Sequence, residues 1–155
     1  MRPRFPIFRA ASLAALAVAA LSLSADAMQA QAAPAAQPPA AQPAPQIYLR
    51  APRDGAVVPP TFPVEFGLRN YGVAPAGVNL AGTGHFHILI NVESPAVGQI
   101  IPADSLHRHF GAGQIETTLT LAPGPYTLRA VLADHEHKVI RRELISAPVR
   151  ITVRR

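Results

Sequence analysis

The residues best suited to chemistry are six histidines, all of which lie between positions 85 and 137. They form three His-x-His pairs, His85/His87, His107/His109 and His135/His137. Random placement of 6 histidines in 155 positions gives roughly 0.2 such pairs, so composition does not explain the pattern. Residues i and i+2 of a β-strand lie about 6.5 Å apart on one face, so two imidazoles at this spacing can converge on one cation. Neutral imidazole binds Zn²⁺ and Cu²⁺, which makes a Cu or Zn site one interpretation.

Three other interpretations of the histidines stay open beside the metal site. They are hydrogen bonds to backbone that hold the 70–83 and 102–112 segments, a pH-sensing role, and catalysis. For the metal site, the candidate ligands are His85, His87, His109, His135 and His137, then His107, with Gln114, Glu116, Asp134 and Glu136 as supporting residues. In this scheme Gln114 is a hydrogen-bonding partner that sets an imidazole tautomer.

Catalytic patterns other than the histidines are weak. Asp104, Ser105 and His107 are near neighbours in sequence, and such neighbours rarely form a catalytic triad. The glycines at Gly111 and Gly113 follow no predicted strand and open no predicted helix, unlike those of a phosphate-binding loop. The sequence therefore favours a binding or accessory module over an enzyme, and a periplasmic metalloenzyme ranks third, after a purely structural histidine network in an envelope interaction module.

The elements that would position the histidines are short strands separated by Gly, Pro, Asn and Asp turns. Residues 62–69 alternate between apolar and polar side chains, as half-buried strands do. Further strands are predicted at 46–50, 56–58, 85–92, near 98–101, and at 114–121, 125–133 and 147–154, with a hairpin turn at 122–124. About seven strands at this spacing predict an all-β, immunoglobulin-like sandwich, with a jelly roll or small barrel as the alternative.

Strand reversal predicts that the three histidine pairs meet at one end of this sandwich. His85 and His87 alternate with the apolar residues Phe86 and Ile88, so they point away from the core. By the same alternation, His135 and His137 point to the face opposite to that of the core residues of 125–133. Both pairs are therefore expected on an outer face that solvent or a ligand can reach.

The N-terminus has the order of a secretory signal. Three arginines precede an uncharged apolar run at 10–23, and a small-residue cleavage site follows at 25–27. The run is shorter than the roughly 20 residues that span a bilayer, so no membrane span is expected after cleavage. We predict a signal peptide at 1–27, a Pro/Ala/Gln-rich linker at 28–45 and one domain at 46–155, located in the periplasm or secreted.

Composition excludes several classes of site and partner. The chain has no cysteine, which excludes disulfides and thiolate metal sites. Without the predicted signal it carries 11 basic and 8 acidic side chains, a net charge of only +3 with no clustered basic face. We therefore expect no nucleic-acid partner. The expected partner is a metal ion or an envelope protein.

Ordered blocks of residues resemble the DUF4399 family, small exported bacterial domains of unknown function. The blocks are Pro52-x-Asp54-Gly55, Phe66-Gly67-Leu68-x-Asn70-x-Gly72-Val73-x-Pro75-Ala76-Gly77, Gly82-Thr83-Gly84-His85-Phe86-His87-Ile88-Leu89-Ile90, Ile101-Pro102-Ala103-Asp104, His109-Phe110-Gly111-x-Gly113-Gln114-x-Glu116, Leu121-x-Pro123-Gly124-x-Tyr126-Thr127-Leu128 and Asp134-His135-x-His137. The resemblance covers about 52–153 and implies the fold and export, but no activity.

The chain departs from that family pattern at positions that could matter for a metal. The family often has histidine where Phe86 and Tyr126 stand, aspartate where Asn91 stands, and a further histidine after the last pair. If those residues complete a metal sphere in the family, this member is expected to bind more weakly or not at all.

Overall fold

The computed structural model describes residues 43–155 of the chain. The predicted signal peptide at 1–27 and most of the predicted linker at 28–45 lie outside the described residues. The first strand of the described residues begins at Gln46. The described residues contain no helix with the length and hydropathy needed to cross a bilayer.

The described part of the chain folds as strands and loops, which confirms the all-β prediction. It contains no α-helix, and its only helical turn is a 3₁₀ turn at Arg142–Leu144. The strands are β1 (Gln46–Ala51), β2 (Ala56–Val58), β3 (Thr61–Arg69), β4 (Gly72–Val73), β5 (Thr83–Ile90), β6 (His107–Phe110), β7 (Glu116–Thr120), β8 (Gly124–Ala133) and β9 (Val149–Val153). The expected number was about seven, and the additional strands β4 and β6 are short ones in segments predicted as loops.

The strands form two sheets, consistent with the predicted β-sandwich. One sheet has the order β1-β3-β7, and the other has the order β2-β9-β8-β5-β4, with β6 also paired to β5. Residue Phe86 of β5 is opposite Leu132 of β8 and opposite Phe110 of β6, so β8 and β6 flank β5 on its two sides. An immunoglobulin-like strand topology stays a prediction.

The main core lies between the two sheets and follows from strand alternation. It includes Phe62, Val64, Phe66, Phe86, Ile88, Phe110, Leu119, Leu128 and Leu132. The rings of Phe66 and Phe86 stack across the sheets, with centroids 4.2 Å apart and planes 6° apart. Every second residue of β5 thus points into the main core, which leaves the intervening residues on the outer face.

The hairpin predicted at 122–124 is wrong. β7 pairs with β3, whereas β8 pairs with β5 and β9, so the two strands belong to different sheets. Leu119 and Leu128 both pack in the main core, because each strand points its apolar residues toward the other sheet. The connection at 122–124 therefore crosses from one sheet to the other.

Two loop segments cover the outer face of the larger sheet. The chain turns back after β8, and Val139 forms a bridge to Ala133. The 98–101 segment, predicted as a short strand, lies beside it with one bridge from Ile100 to Lys138. Beneath these segments is a second apolar cluster, the outer cluster, made of Leu89, Ile101, Val131, Ala133 and Val139.

Candidate metal centre

Strand β5 supplies two adjacent imidazoles on the outer face of the larger sheet. His85 and His87 share this face because they are two residues apart in an extended strand. Their Nε2 atoms are 2.9 Å apart and their ring centroids 4.9 Å apart. The spacing of the first His-x-His pair therefore brings two nitrogens together, as the sequence predicts.

Strand β6 adds a third imidazole. Antiparallel pairing sets His109 directly opposite His87, and directly opposed side chains lie on the same face of a sheet. The His109 ring centroid is 5.0 Å from that of His87 and 4.9 Å from that of His85. A Cβ atom at Gly111 would overlap the His109 ring, so glycine at this position leaves room for the ring.

The turn after β8 adds a fourth imidazole. Ala133, the last residue of β8, is opposite His85, so the turn that follows lies beside the β5 pair. Asp134 organises this turn, since its Oδ1 accepts hydrogen bonds from the backbone N–H groups of Glu136 and Lys138 at 2.9 Å each. His137 has a φ of 67°, the left-handed conformation usual for the last residue of a three-residue hairpin loop.

Four histidines therefore converge from three chain segments. We call His85, His87, His109 and His137 the histidine quartet. The His137 ring centroid is 4.9 Å from those of His85 and His109 and 5.8 Å from that of His87. One ligand nitrogen from each member lies within 4.8 Å of those of the other three, so the quartet could hold a metal ion.

Two of the six histidines, His107 and His135, lie outside the quartet. The Nδ1 atom of His107 is 2.8 Å from Oδ1 of Asp104. His107 lies opposite Leu89 in the strand register, two residues along from the quartet's His87–His109 pair. His135 occupies the turn after β8, outside the group of converging nitrogens. The second and third His-x-His pairs therefore contribute one imidazole each to the quartet. The other imidazole of the second pair contacts a carboxylate, and that of the third pair lies in the turn.

The four supporting residues also lie outside the quartet. Gln114 accepts a hydrogen bond from the backbone N–H of Ala112 at 2.8 Å, so it holds a loop. Glu116 is an exposed residue of β7 in the other sheet. Asp134 accepts the turn hydrogen bonds, and Glu136 pairs with a lysine ammonium group at 2.7 Å. Asp134 thus acts through the turn that carries His137.

The expectation that the β5 histidines are accessible is wrong. Their predicted phase is correct, but the exposed fraction is 0% for His85 and 2% for His87. Residues Ile101 and Val139 fold over this face and bury it. His109 is exposed and His137 is half-buried, so the quartet has a buried side and an accessible side.

Burial keeps the deepest imidazoles neutral at neutral pH. Loss of hydration lowers the pKa of His87 from 6.5 to about 3, and the neighbouring imidazoles lower it further. The same causes lower the pKa of His85 to about 4, although the Asp134 carboxylate opposes them. Burial also lowers the pKa of His109. Neutral imidazole is the form that binds metal, so no proton needs to leave His85 or His87 at neutral pH.

The buried imidazoles have few hydrogen bonds. The Nδ1 atoms of His85 and His87 are buried, and no described protein group hydrogen-bonds to either atom. A purely structural network would pair each imidazole with a carbonyl or carboxylate, and among the described contacts His107 is the histidine paired with a carboxylate. Each unpaired buried polar atom reduces the free energy of unfolding by roughly 1–3 kcal/mol, so a stabilising role does not explain the burial of these two rings.

The comparison with family models shows the family to which the chain belongs. The model of the family described as "Domain of unknown function (DUF4399)" matches residues 64–154. The chain belongs to the DUF4399 family. All four quartet histidines lie within the matched range. The comparison with curated proteins finds no match.

Three of the four positions at which the resemblance implies a different residue lie away from the quartet, and the fourth follows His137. Phe86 packs in the main core against Phe66, on the opposite face of β5. Asn91 accepts a hydrogen bond from the backbone N–H of Thr127, and Tyr126 packs at the edge of the main core. These substitutions therefore leave the four converging nitrogens intact.

Sequence reasoning missed the residues that frame the quartet. Gly111 lies against the His109 ring, and Ile101 and Pro102 form part of a cavity wall beside the imidazoles. These residues carry no metal-binding chemistry of their own. Their place in the DUF4399 blocks was the signal available, and it did not distinguish framing residues from core residues.

Proposed function

We propose that this domain is an exported, non-enzymatic binding or accessory module that holds a divalent transition metal in the histidine quartet. The observation that carries the proposal is the convergence of four imidazole nitrogens within 4.8 Å of one another. Three chain segments, β5, β6 and the turn after β8, contribute to this one point. Two of these imidazoles, those of His85 and His87, are buried and neutral, which is the form that binds a metal ion.

The donor set favours Cu²⁺ and Zn²⁺. Imidazole suits both ions, whereas Ca²⁺ and Mg²⁺ prefer oxygen ligands. With metal–nitrogen bonds of about 2.0–2.1 Å, a tetrahedron separates all nitrogens by about 3.4 Å, whereas a square has edges of about 2.9 Å. The 2.9 Å between the Nε2 atoms of His85 and His87 is also the length of a hydrogen bond between the two rings, so it does not distinguish these geometries. Since Cu²⁺ binds nitrogen sites more tightly than Zn²⁺ in general, we expect Cu²⁺ to bind best.

The alternative, a structural histidine network in an envelope interaction module, has less support. It accounts for His107, which pairs with Asp104. It does not account for His85 and His87, which hydrogen-bond to no described carbonyl or carboxylate and whose Nε2 atoms instead face each other at 2.9 Å. A pH-sensing role is also less favoured, because a sensor should titrate near the pH range it reports, and the pKa values of these two residues are about 4 and about 3.

The proposed location is the periplasm or the exterior of the cell. Its support is the N-terminal sequence, in which arginines precede an apolar run and a small-residue cleavage site. Metal ions outside the cytoplasm are bound in competition with other ligands, so a preformed nitrogen site would be useful there. The domain would then store, buffer or pass on the ion.

Isothermal titration calorimetry of chelator-treated protein with Cu²⁺, Zn²⁺ and Ni²⁺ tests the proposal. We expect one Cu²⁺ per chain, bound more tightly than the other ions. His109→Ala should weaken Cu²⁺ binding by more than about 10-fold, the lower limit seen when even an outer-shell metal partner is lost. His109 is exposed, so this change should leave the fold intact.

His107→Ala is the matched control, because His107 belongs to the same His-x-His pair and the same strand. Its Cu²⁺ affinity should stay within about 3-fold of the unmodified protein, less than an outer-shell change costs. Equal losses in the two variants would contradict the quartet as the site. Cu²⁺ binding no tighter than that of a scrambled histidine-rich peptide would contradict metal binding altogether.

A further inference from the structure

A cavity lies against one side of the histidine quartet. Its volume is about 310 Å³. Three quartet members line it, namely His87, His109 and His137. The remaining wall is the apolar 100–103 segment. An ion held by the quartet would therefore face a space with imidazoles on one side and aliphatic groups on the other.

The quartet would leave the charge of such an ion uncompensated. Imidazoles that ligate a metal are neutral, so four of them and a divalent ion carry a net charge of +2. Of the nearby carboxylates, Asp104 pairs with His107, whereas Asp134 acts on His85 and offsets only part of this charge. The positive charge that remains favours an anion in the adjoining cavity.

The cavity walls restrict which anion can bind. Ile101 is buried, and the exposed residues Ile100, Pro102 and Ala103 complete the apolar side. These groups offer no side-chain hydrogen bonds to replace the water around a strongly hydrated dianion such as sulfate. A weakly hydrated monoanion loses less on entry. The volume, near the lower limit of common ligand pockets, restricts the occupant to a small molecule.

We propose that the cavity accepts a small, weakly hydrated monoanion that completes the coordination of the divalent ion in the histidine quartet. The inference rests on the proposed function, because the ion provides the charge that attracts the anion. Four imidazole ligands would leave a Cu²⁺ ion able to take a further ligand. His87, His109 and His137 line the cavity, so a molecule bound there would lie beside three of the four imidazoles.

Azide titration of the Cu²⁺-loaded protein tests this inference. Azide is a small monoanion, and its coordination to Cu²⁺ produces a charge-transfer absorption band and changes the electron paramagnetic resonance spectrum. We expect a saturable spectral change with one azide per Cu²⁺ and no change with sulfate at the same ionic strength. Copper-free protein should give no azide-binding heat.

Ala103→Phe fills the cavity from its exposed wall and should weaken azide binding at least 10-fold, while Cu²⁺ affinity changes less than 3-fold. Ala122→Phe is the matched control, because Ala122 is also exposed and does not line this cavity. Its azide affinity should be unchanged. Circular dichroism of both variants confirms that the fold is retained.

The outcomes separate the two proposals. If no Cu²⁺ binds, the metal site itself is wrong, and the cavity proposal falls with it. If Cu²⁺ binds but azide produces no spectral change, the metal site stands and the anion proposal is overturned. Azide binding that Ala103→Phe leaves unchanged, or that equals azide binding to copper-free protein, also overturns it.

Discussion

The two faces of β5 are both buried, but they are buried by different means. On one face, Phe86 and Ile88 meet the opposite sheet in the main core. On the other face, His85 and His87 are covered by loop segments that carry Ile101 and Val139. The main core joins two sheets, whereas the loops that complete the outer cluster are held by isolated bridges and turn hydrogen bonds.

This difference separates stability from function along a single strand. The main-core face is apolar, so its burial contributes to folding. The outer face buries two imidazoles whose Nδ1 atoms have no described partner, and such atoms cost folding energy. Sequences tend to break the rules of good packing at functional sites, so the outer face is where function is expected.

The largest expected effect comes from breaking the main-core face. Phe86→Ala removes a fully buried ring and its stacking on Phe66, so unfolding in guanidinium chloride should require about 3–5 kcal/mol less free energy. Val57→Ala, at an exposed position, should change it by no more than about 0.5 kcal/mol. If Phe86→Ala lowers the free energy of unfolding by less than about 1 kcal/mol, the main-core face does not stabilise the fold more than the outer face does.

Low pH should destabilise the protein through the two buried histidines of the outer face. The pKa values of His85 and His87 are about 4 and about 3 in the folded protein and near 6.5 in the unfolded chain. Between pH 6.5 and about 4 the unfolded state binds more protons, so stability present above pH 6.5 is lost as the pH falls. Because solvent reaches the quartet past His109 and screens part of the cost, we expect a loss of about 2–3 kcal/mol.

Thermal melts of metal-free protein at pH 7, 5.5 and 4.5 measure this loss. The carboxyl groups of Asp54 and Asp104, whose pKa values lie below 3.8, keep their stabilising contributions throughout that range. The double variant His85→Leu/His87→Leu should therefore show a flatter profile, in which the remaining slope comes from His109 and Glu136, whose pKa values are also lowered. A double variant that loses stability over this range as steeply as the unmodified protein would locate the acid sensitivity elsewhere.

Much of the fold could be predicted from the sequence, because it follows from local alternation. The segment 62–69 predicts β3 to within one residue, and the phase of β5 is correct. The pairing of strands was harder to predict, as the wrong hairpin at 122–124 shows. Alternation identifies which residues point inward, but it does not say which sheet a strand joins.

The site was predictable as a set of residue types but not as a geometry. The six histidines and their gathering by strand reversal could be inferred from spacing. The selection of His109 over His107 depends on the register of β6, which was not predicted as a strand. The burial of His85 and His87 depends on Ile101 and Val139, which come from distant loops with no periodic pattern.

The smallest expected effect concerns the turn that carries His137. Its φ of 67° lies in the left-handed region, where a residue with a Cβ atom is disfavoured and glycine is not. His137→Gly should therefore stabilise metal-free protein by about 0.5–1 kcal/mol in chemical unfolding. The same change removes a quartet ligand, so Cu²⁺ should lose most of its stabilising effect.

His135→Gly is the matched control, because it places glycine in the same turn at a residue whose φ is not positive. It should destabilise the metal-free protein by a few tenths of a kcal/mol, through the greater entropy of the unfolded chain, and leave Cu²⁺ binding intact. If the free energy of unfolding rises in His137→Gly and falls in His135→Gly, then histidine at position 137 is unfavourable for the backbone conformation of the turn. A His137→Gly protein that is less stable without metal and equally stabilised by Cu²⁺ would remove His137 from the site.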